Sequence, residues 1–184
     1  GMCGTEEIYF ATFYHNFDGG IMVTASHNPK GYNGMKLVKE GSRPISGDTG
    51  LKAIRQRILD NELPKAKVSG SRSERFSKQE YLEHLLTYVD LNRLKPLKIV
   101  VNPGNGAAGP SVDALEQLLV AKGVTTNFKR MHHSPNPLFP HGIPNPMIEE
   151  NRQATSEAVK AEKADFGVAF DGDFDRCFIF DDKG

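Results

Sequence analysis

The chain has 184 residues, of which 38% are hydrophobic and 25% charged, an ordinary balance for one globular domain or two small ones. Its 23 basic residues equal its 23 acidic residues, so no net positive field draws it to nucleic acid or to an anionic membrane. No apolar run approaches the roughly 20 residues that span a bilayer. The two isolated cysteines, Cys3 and Cys177, favour a reducing, cytoplasmic location.

The first part of the chain alternates helix-like and strand-like segments. We predict, in order, a helix at Thr5–Tyr14 capped by Thr5, strands at residues 20–25 and 35–38, and a helix at residues 48–60 capped by Asp48. Residues 64–77 are basic, rich in serine and nearly free of large apolar side chains. This composition indicates a linker, so we place a domain boundary between residues 73 and 74.

The second part repeats the alternation, which is typical of βα units. The predicted helices cover residues 78–90, 110–122 and 151–163, with Pro110 as the first residue of the second helix, and the predicted strands cover residues 97–101, 124–129, Phe166–Phe170 and Cys177–Phe180. Residues 134–147 are too rich in proline for a helix and are predicted to form a loop. The pattern indicates an α/β fold with mainly parallel strands.

A polar loop centred on Ser26 follows the first predicted strand. It reads Thr-Ala-Ser-His-Asn-Pro over residues 24–29, and Asn-Gly-Met-Lys follows at residues 33–36. Ligand sites in open α/β sheets gather at the carboxyl ends of strands, which makes Ser26 a candidate nucleophile. His27 and Lys36 are the nearby groups for proton transfer or for stabilising phosphate charge. The composition alone also fits an ordinary polar turn.

A second polar loop, Asp-Gly-Asp-Phe-Asp-Arg at residues 171–176, directly follows the predicted strand Phe166–Phe170. Three carboxylates within five residues repel one another unless a cation neutralises them, and such oxygen ligands suit Mg²⁺ or Ca²⁺. Two alternatives remain open from the residues themselves. One is an acidic surface turn, and the other is a phosphatase site in which Asp171 is the nucleophile and Asp173 the acid.

Both loops resemble the active-site loops of the α-D-phosphohexomutases, a family that includes phosphoglucomutase, phosphomannomutase and phosphoglucosamine mutase. For the first loop the resemblance rests on six contiguous residues, 24–29, and on the spaced lysine, Lys36. It implies that Ser26 is phosphorylated in the resting enzyme, and that His27 and Lys36 assist proton transfer and phosphate binding.

The second loop resembles the metal loop of the same family. This implies that Asp171, Asp173 and Asp175 bind Mg²⁺, that an oxygen of phosphorylated Ser26 completes the coordination, and that Arg176 contacts the phosphate. The resemblance therefore connects two loops that are almost 150 residues apart in the sequence.

The family architecture implies mixed, mainly parallel sheets with flanking helices in two consecutive domains. Residues 1–73 correspond to the C-terminal part of the phosphoserine-bearing first domain, which would be incomplete, and residues 74–184 to the metal-loop-bearing second domain. The family enzymes have four domains, so we expect domains 3 and 4 to be missing partners of a longer chain. These 184 residues alone are then expected to be nearly inactive.

The implied reaction converts a hexose 1-phosphate reversibly into its 6-phosphate through a hexose 1,6-bisphosphate. Residues 4–11 and 171–177 look most like bacterial phosphomannomutases, which feed GDP-mannose to surface polysaccharides. The expected substrate is therefore a mannose phosphate, and phosphoglucomutase activity is the alternative.

Three further patterns are given structural interpretations. Residues 104–109 have the form of a dinucleotide fingerprint, but Lys129 and Arg130 stand where an acidic residue is expected, which favours a tight strand-to-helix turn. His132 and His133 lack a third ligand at a zinc spacing and are interpreted as loop residues. The Pro-Asn-Pro segment at residues 144–146 is assigned a structural role.

Overall fold

The structure is a computed structural model that describes residues 2–75 and 77–184, which form five α-helices and seven strands. The helices are α1 (Thr5–Tyr14), α2 (Lys52–Leu59), α3 (Gln79–Leu86), α4 (Ala108–Ala121) and α5 (Gln153–Glu162). The strands are β1 (Gly19–Val23), β2 (Met35–Lys39), β3 (Arg43–Pro44), β4 (Lys98–Asn102), β5 (Asn127–Arg130), β6 (Phe166–Phe170) and β7 (Cys177–Phe180). None of these helices is long and apolar enough to cross a membrane.

The first sheet is antiparallel throughout, in the order β1-β2-β3. Residues 24–34 join β1 to β2 and are too few for a crossover, so the chain turns back and pairs Val23 with Met35. The return from β2 to β3 bends at Gly41, whose φ of 64° lies in the left-handed region that glycine favours. α1 packs on this sheet and buries Phe10.

The second sheet has the order β5-β4-β6-β7 and is mixed. β4 pairs in parallel with β5 and β6, because α4 and α5 carry the chain back across the sheet between strands. β6 and β7 are antiparallel, since only residues 171–176 connect them. The core of this part contains Val100, Val159, Ala164, Ala169 and Phe180. Because β4 and β6 are neighbours, the turn after β4 lies beside the loop after β6.

The predicted α/β class with mixed sheets and flanking helices is confirmed. The strands described are not mainly parallel, however, because only the pairs β4–β5 and β4–β6 are parallel and the short connections β1–β2, β2–β3 and β6–β7 return antiparallel. α1, β6 and β7 have the predicted bounds, and no helix or strand interrupts residues 134–147. α4 begins two residues before Pro110. The linker prediction agrees with residues 64–75 and 77, which contain no helix or strand. Phe76, in that linker, and Gly1, in the first predicted domain, lie outside the described residues.

Both predicted helix caps are wrong. Gly4 is the N-cap of α1, and its N–H donates to Glu7 Oε1 at 3.1 Å. Thr5 is not the cap because its hydroxyl bonds a carboxylate on another element, as described below. At the second helix, Ser46 N–H donates to Thr49 Oγ1 at 2.7 Å and caps the wide turn Gly47–Leu51 that precedes α2.

A nearly buried ion pair connects α1 to the second part of the chain. Lys78, at the start of α3, donates to both carboxylate oxygens of Glu7 at 2.7 and 2.8 Å. Ser111 on α4 donates to the same carboxylate at 3.0 Å. The two charged side chains are only 11% and 16% exposed. Charge and hydrogen bonding thus attach α1, and the first sheet behind it, to α3 and α4.

Tyr81 on α3 gives a pH-dependent test of this packing. Its ring lies edge-on to Phe10, with centroids 5.5 Å apart, and burial together with the charges of Glu7 and Glu6 raises its pKa from 10.0 to about 12. The folded state therefore favours the neutral phenol, and the associated stability, complete below pH 10, is lost as the pH rises towards 12.

We expect the free energy of unfolding to fall across that window in the wild type and to fall less in Tyr81→Phe. Urea unfolding followed by circular dichroism between pH 8 and 12 measures both. Tyr88→Phe, at a site 75% exposed, is the matched control and should behave as the wild type. Equal pH dependence in the wild type and Tyr81→Phe would contradict the assignment.

Candidate active site

The loop after β1 holds Ser26 in an unusual backbone conformation. Its φ is 53°, in the left-handed region that non-glycine residues seldom adopt, and its N–H donates to Thr24 Oγ1 at 2.8 Å. Its carbonyl oxygen faces the loop after β6. A Cβ added to Gly172 would lie 2.5 Å from that oxygen, so glycine at this position allows the two loops to touch.

The Ser26 hydroxyl lies among three predicted site residues. It donates to Asp173 Oδ1 at 3.2 Å, accepts from Arg176 Nη2 at 3.3 Å, and is 3.2 Å from His27 Nδ1. Arg176 Nη2 also donates to His27 Nδ1 at 2.5 Å.

The three aspartates of the second loop converge. One carboxylate oxygen from each of Asp171, Asp173 and Asp175 lies within 4.8 Å of the others, and the first two residues are buried. Burial raises the pKa of Asp171, and the charge of Asp173 raises it further, while Arg176 partly offsets both effects. Arg176 Nε bonds Asp171 Oδ2 at 2.8 Å. The donor set of hard oxygens fits a divalent cation such as Mg²⁺.

Lys36 on β2 reaches the aspartate loop as a cation. Its Nζ donates to Asp173 Oδ2 at 2.8 Å and to Asp175 Oδ2 at 2.5 Å. Burial works against the charged forms of Lys36 and Asp173, but their mutual bond more than compensates. The pKa of Lys36 is therefore raised and that of Asp173 lowered, with the Thr5 hydrogen bond also contributing to the latter. Lys36 is an ammonium ion in this arrangement.

The glycine-rich turn after β4 supports the aspartate loop. Ala107 N–H, at the start of α4, donates to the Gly172 carbonyl at 2.9 Å. A Cβ on Gly106 would lie 2.7 Å from the same oxygen, so the close approach needs glycine. The N-terminus of α4 thus meets a protein carbonyl, which agrees with a strand-to-helix turn rather than a nucleotide site.

The histidines and the proline segment also have structural contacts. His133 Nε2 bonds Asp113 Oδ1 at 2.9 Å, and His132 stacks on His141 with ring centroids 3.7 Å apart. Pro144 packs on Gly104 of the glycine-rich turn. These contacts agree with the structural interpretation of all three patterns.

Two residues in the site were missed in the sequence. The Thr5 hydroxyl donates to Asp173 Oδ2 at 2.7 Å, and Met147 Sδ accepts from Arg176 Nη1 at 3.4 Å. Thr5 and Asp173 are 168 residues apart, and no local pattern signals such a contact.

A cavity of 640 Å³ opens beside Ser26, between the loop after β1 and the turn after β4. Its walls include Asn28, Lys30, Tyr32 and Asn136. The volume is typical of small-molecule sites, and these side chains offer hydrogen bonds and one positive charge.

The buried Asp171 argues against the phosphatase alternative. Its side chain is 0% exposed, and Arg176 occupies both of its oxygens through the backbone N–H at 3.2 Å and the guanidinium. A nucleophile must reach a substrate in the cavity beside Ser26, and Asp173, but not Asp171, lies among the residues that line this cavity. Ser26, which is half-buried beside the cavity, is the more accessible oxygen.

Comparison with known proteins matches two family models to consecutive parts of the chain. The family model described as phosphoglucomutase/phosphomannomutase, alpha/beta/alpha domain I, matches residues 1–65. The model for alpha/beta/alpha domain II of the same family matches residues 79–184. The second match alone covers more than half of the chain.

Individual relatives agree with the family models. The chain is 55% identical to a phosphomannomutase of Salmonella montevideo and matches 100% of itself to 41% of that protein. It is also 55% identical to a protein of Xanthomonas campestris named phosphohexose mutases, of which it covers 40%. A crystal structure of a phosphoglucomutase/phosphomannomutase family protein from Burkholderia thailandensis superposes with a TM-score of 0.86 at 33% identity, again over 40% of that chain. The chain therefore spans about 40% of the length of these relatives.

Proposed function

The chain belongs to the phosphoglucomutase/phosphomannomutase family, and we propose that it forms the phosphoryl-transfer part of a phosphomannomutase. The observation that carries the proposal is the position of the Ser26 hydroxyl, which contacts Asp173 and Arg176 from a loop almost 150 residues further along the chain. If Ser26 carries a phosphate, the loop after β1 presents this group and the loop after β6 contacts it through Arg176 and a bound cation. A phosphoserine therefore accounts for the contact between the two loops.

The charges of the site support a phosphorylated serine together with a divalent cation. Three aspartates face two basic side chains, Lys36 and Arg176, which leaves one negative charge. A phosphate on Ser26 adds about −1.5 to −2 more. We propose that Asp171, Asp173, Asp175 and the phosphoserine hold Mg²⁺ there. The ion would supply positive charge to the phosphoryl oxygens during transfer.

The chain's own residues take distinct parts in the proposed reaction. The phosphoryl group moves between Ser26 Oγ and a hydroxyl of the sugar, so the bond to one oxygen breaks as the bond to the other forms. Arg176, already within 3.3 Å of Ser26 Oγ, orients the phosphate and balances its charge. His27, whose Nδ1 lies 3.2 Å from Ser26 Oγ, is the proposed acceptor of the proton of the sugar hydroxyl. Lys36, as an ammonium ion, holds Asp173 and Asp175 in place.

We propose mannose 1-phosphate and mannose 6-phosphate as the substrates of the whole protein, with a hexose 1,6-bisphosphate between them. The name of the relative from Salmonella montevideo, a phosphomannomutase that is 55% identical, supports mannose over glucose. We also propose a division into domains at residues 73 and 74, further domains in a longer chain, and a location in the cytoplasm.

Phosphorylation of Ser26 tests the proposal directly. We expect the full-length protein that contains these residues, incubated with Mg²⁺ and mannose 1,6-bisphosphate, to gain the mass of one phosphoryl group, located on Ser26 by peptide mass spectrometry. Ser26→Ala should gain none, whereas Ser73→Ala, a change in the exposed linker, should behave as the wild type. A phosphate found on Asp171 and sensitive to hydroxylamine would favour the phosphatase, and an unmodified Ser26 would contradict the mutase.

A further inference from the structure

Thr5 joins the start of α1 to the aspartate loop through an unusual set of contacts. It is 0% exposed, and its N–H donates to the Asp173 carbonyl at 3.1 Å while its hydroxyl donates to Asp173 Oδ2 at 2.7 Å. The same hydroxyl accepts from Lys36 Nζ at 3.4 Å. A single residue thus binds both the backbone and the side chain of the central aspartate.

Phe174, which follows Asp173, adds a packing contact between the aspartate loop and the start of α1. The ring of Phe174 lies against the Cα of Gly4, in the space that any side chain at position 4 would fill. Phe174 has a φ of 46°, a strained conformation for an aromatic residue, and the packing on Gly4 and on Phe170 holds it there. The tip of the aspartate loop is therefore seated on the first turn of α1.

The division of hydrogen bonds between the two oxygens of Asp173 has a chemical consequence. Thr5 and Lys36 both bond Oδ2, and Ser26 donates to Oδ1 at 3.2 Å. The carboxylate is therefore held in one rotation about its Cβ–Cγ bond, with Oδ1 directed to the phosphate carrier. Lys36 alone is a flexible side chain that also bonds Asp175, whereas Thr5 is buried and rotationally restricted.

We propose that Thr5 is a positioning residue that holds Asp173 Oδ2 and so directs Oδ1 towards the cation and Ser26. This rests on the proposed function, because it concerns the cation site of that reaction. Partners behind metal ligands typically change metal affinity by about 10–100-fold when they are removed. Thr5 performs this role from the first segment of the chain for a ligand in the second.

The test measures binding of Mn²⁺, a paramagnetic substitute for Mg²⁺, to the 184-residue chain by electron paramagnetic resonance. Thr5→Val keeps the shape and removes the hydroxyl, and we expect its Kd to rise about tenfold or more. Thr5→Ser restores the hydroxyl and should bind within about threefold of the wild type. Unchanged or tighter binding by Thr5→Val would overturn the proposal.

Thr12→Val is the matched control. Thr12 lies on the same helix, is 1% exposed, and donates its hydroxyl to the Ile8 carbonyl at 2.8 Å rather than to the loop. It should lose stability as Thr5→Val does but keep the wild-type Kd, and equal losses of affinity in both variants would reduce Thr5 to a structural role. If Thr5→Val fails to fold, Thr5→Ser decides, because a folded Thr5→Ser with tenfold weaker binding overturns the proposal.

Failure of the proposed function gives a different result. In that case Ser26 stays unphosphorylated in the mass-spectrometric experiment, whatever the Thr5 variants do to Mn²⁺ binding. If the loop holds no cation at all, the wild type itself would not bind Mn²⁺. Wild-type binding with no effect at Thr5 would overturn the positioning role alone.

Discussion

Asp173→Asn is expected to reduce the rate of Ser26 phosphorylation by about a thousand-fold. A cation at a transferring phosphoryl group is worth several kcal/mol, and each 1.36 kcal/mol is a factor of ten in rate. Asp173 receives hydrogen bonds from Thr5, Ser26 and Lys36. Asparagine has nearly the same volume as Asp173. It lacks the negative charge that attracts Lys36 and the cation, and it has only one oxygen to accept the three hydrogen bonds.

The same variant should lose at least about a hundredfold in Mn²⁺ affinity, more than a change behind the ligand produces. Phosphorylation of the full-length protein by hexose bisphosphate is followed by intact-protein mass spectrometry over time, and folding by circular dichroism. Asp182→Asn, an exposed aspartate after β7, is the matched control and should retain the wild-type rate. A folded Asp173→Asn that is phosphorylated at the wild-type rate would remove the aspartate loop from the mechanism.

Gly172→Ala should push the two loops apart although it replaces no charged residue. The added methyl would lie 2.5 Å from the Ser26 carbonyl oxygen and 3.6 Å from its carbon, so backbone must move. Overpacking of this kind typically costs 1–3 kcal/mol. A shift of about 1 Å at a reacting centre reduces a rate by about a hundredfold, so phosphorylation of Ser26 should fall by that order.

Urea unfolding measures the stability loss, and mass spectrometry measures the phosphorylation rate. Gly70→Ala is the control, because a Cβ at Gly70 meets no atom within 4 Å and its change should leave both quantities unaltered. If Gly172→Ala keeps both the wild-type stability and the wild-type rate, the loops are not in the contact described.

Much of the fold was predictable from local patterns. The strand at Phe166–Phe170 and the return strand at Cys177–Phe180 are apolar runs on either side of a polar loop, and both are confirmed. The wide turn before α2 was not predicted, because Gly50, with a φ of 146°, breaks the helical geometry inside a segment whose apolar spacing is helical. The spacing of apolar residues predicts which residues lie on one face of a helix. It does not predict that a single residue within the segment adopts a non-helical backbone conformation.

The seven residues chosen as the candidate site lie together, although their catalytic roles remain predictions. They were recognisable because each loop carries a contiguous motif. Thr5 was predicted to be the N-cap of the helix, because a threonine at the start of a helix commonly accepts a hydrogen bond from a backbone N–H of the first turn. Its actual partner depends on the tertiary packing of α1 against the loop after β6, which no spacing within either segment encodes.

The bond between Ser26 and Asp173 joins residues that are 147 positions apart. Ribosomes add about 5–20 residues each second, so the aspartate loop is made roughly 7–30 seconds after the serine. During that interval the loop after β1 has neither its hydrogen-bond acceptor nor the carbonyl-to-glycine contact that supports its left-handed serine. The phosphoryl chemistry that we propose for Ser26 therefore requires synthesis to have passed the second loop.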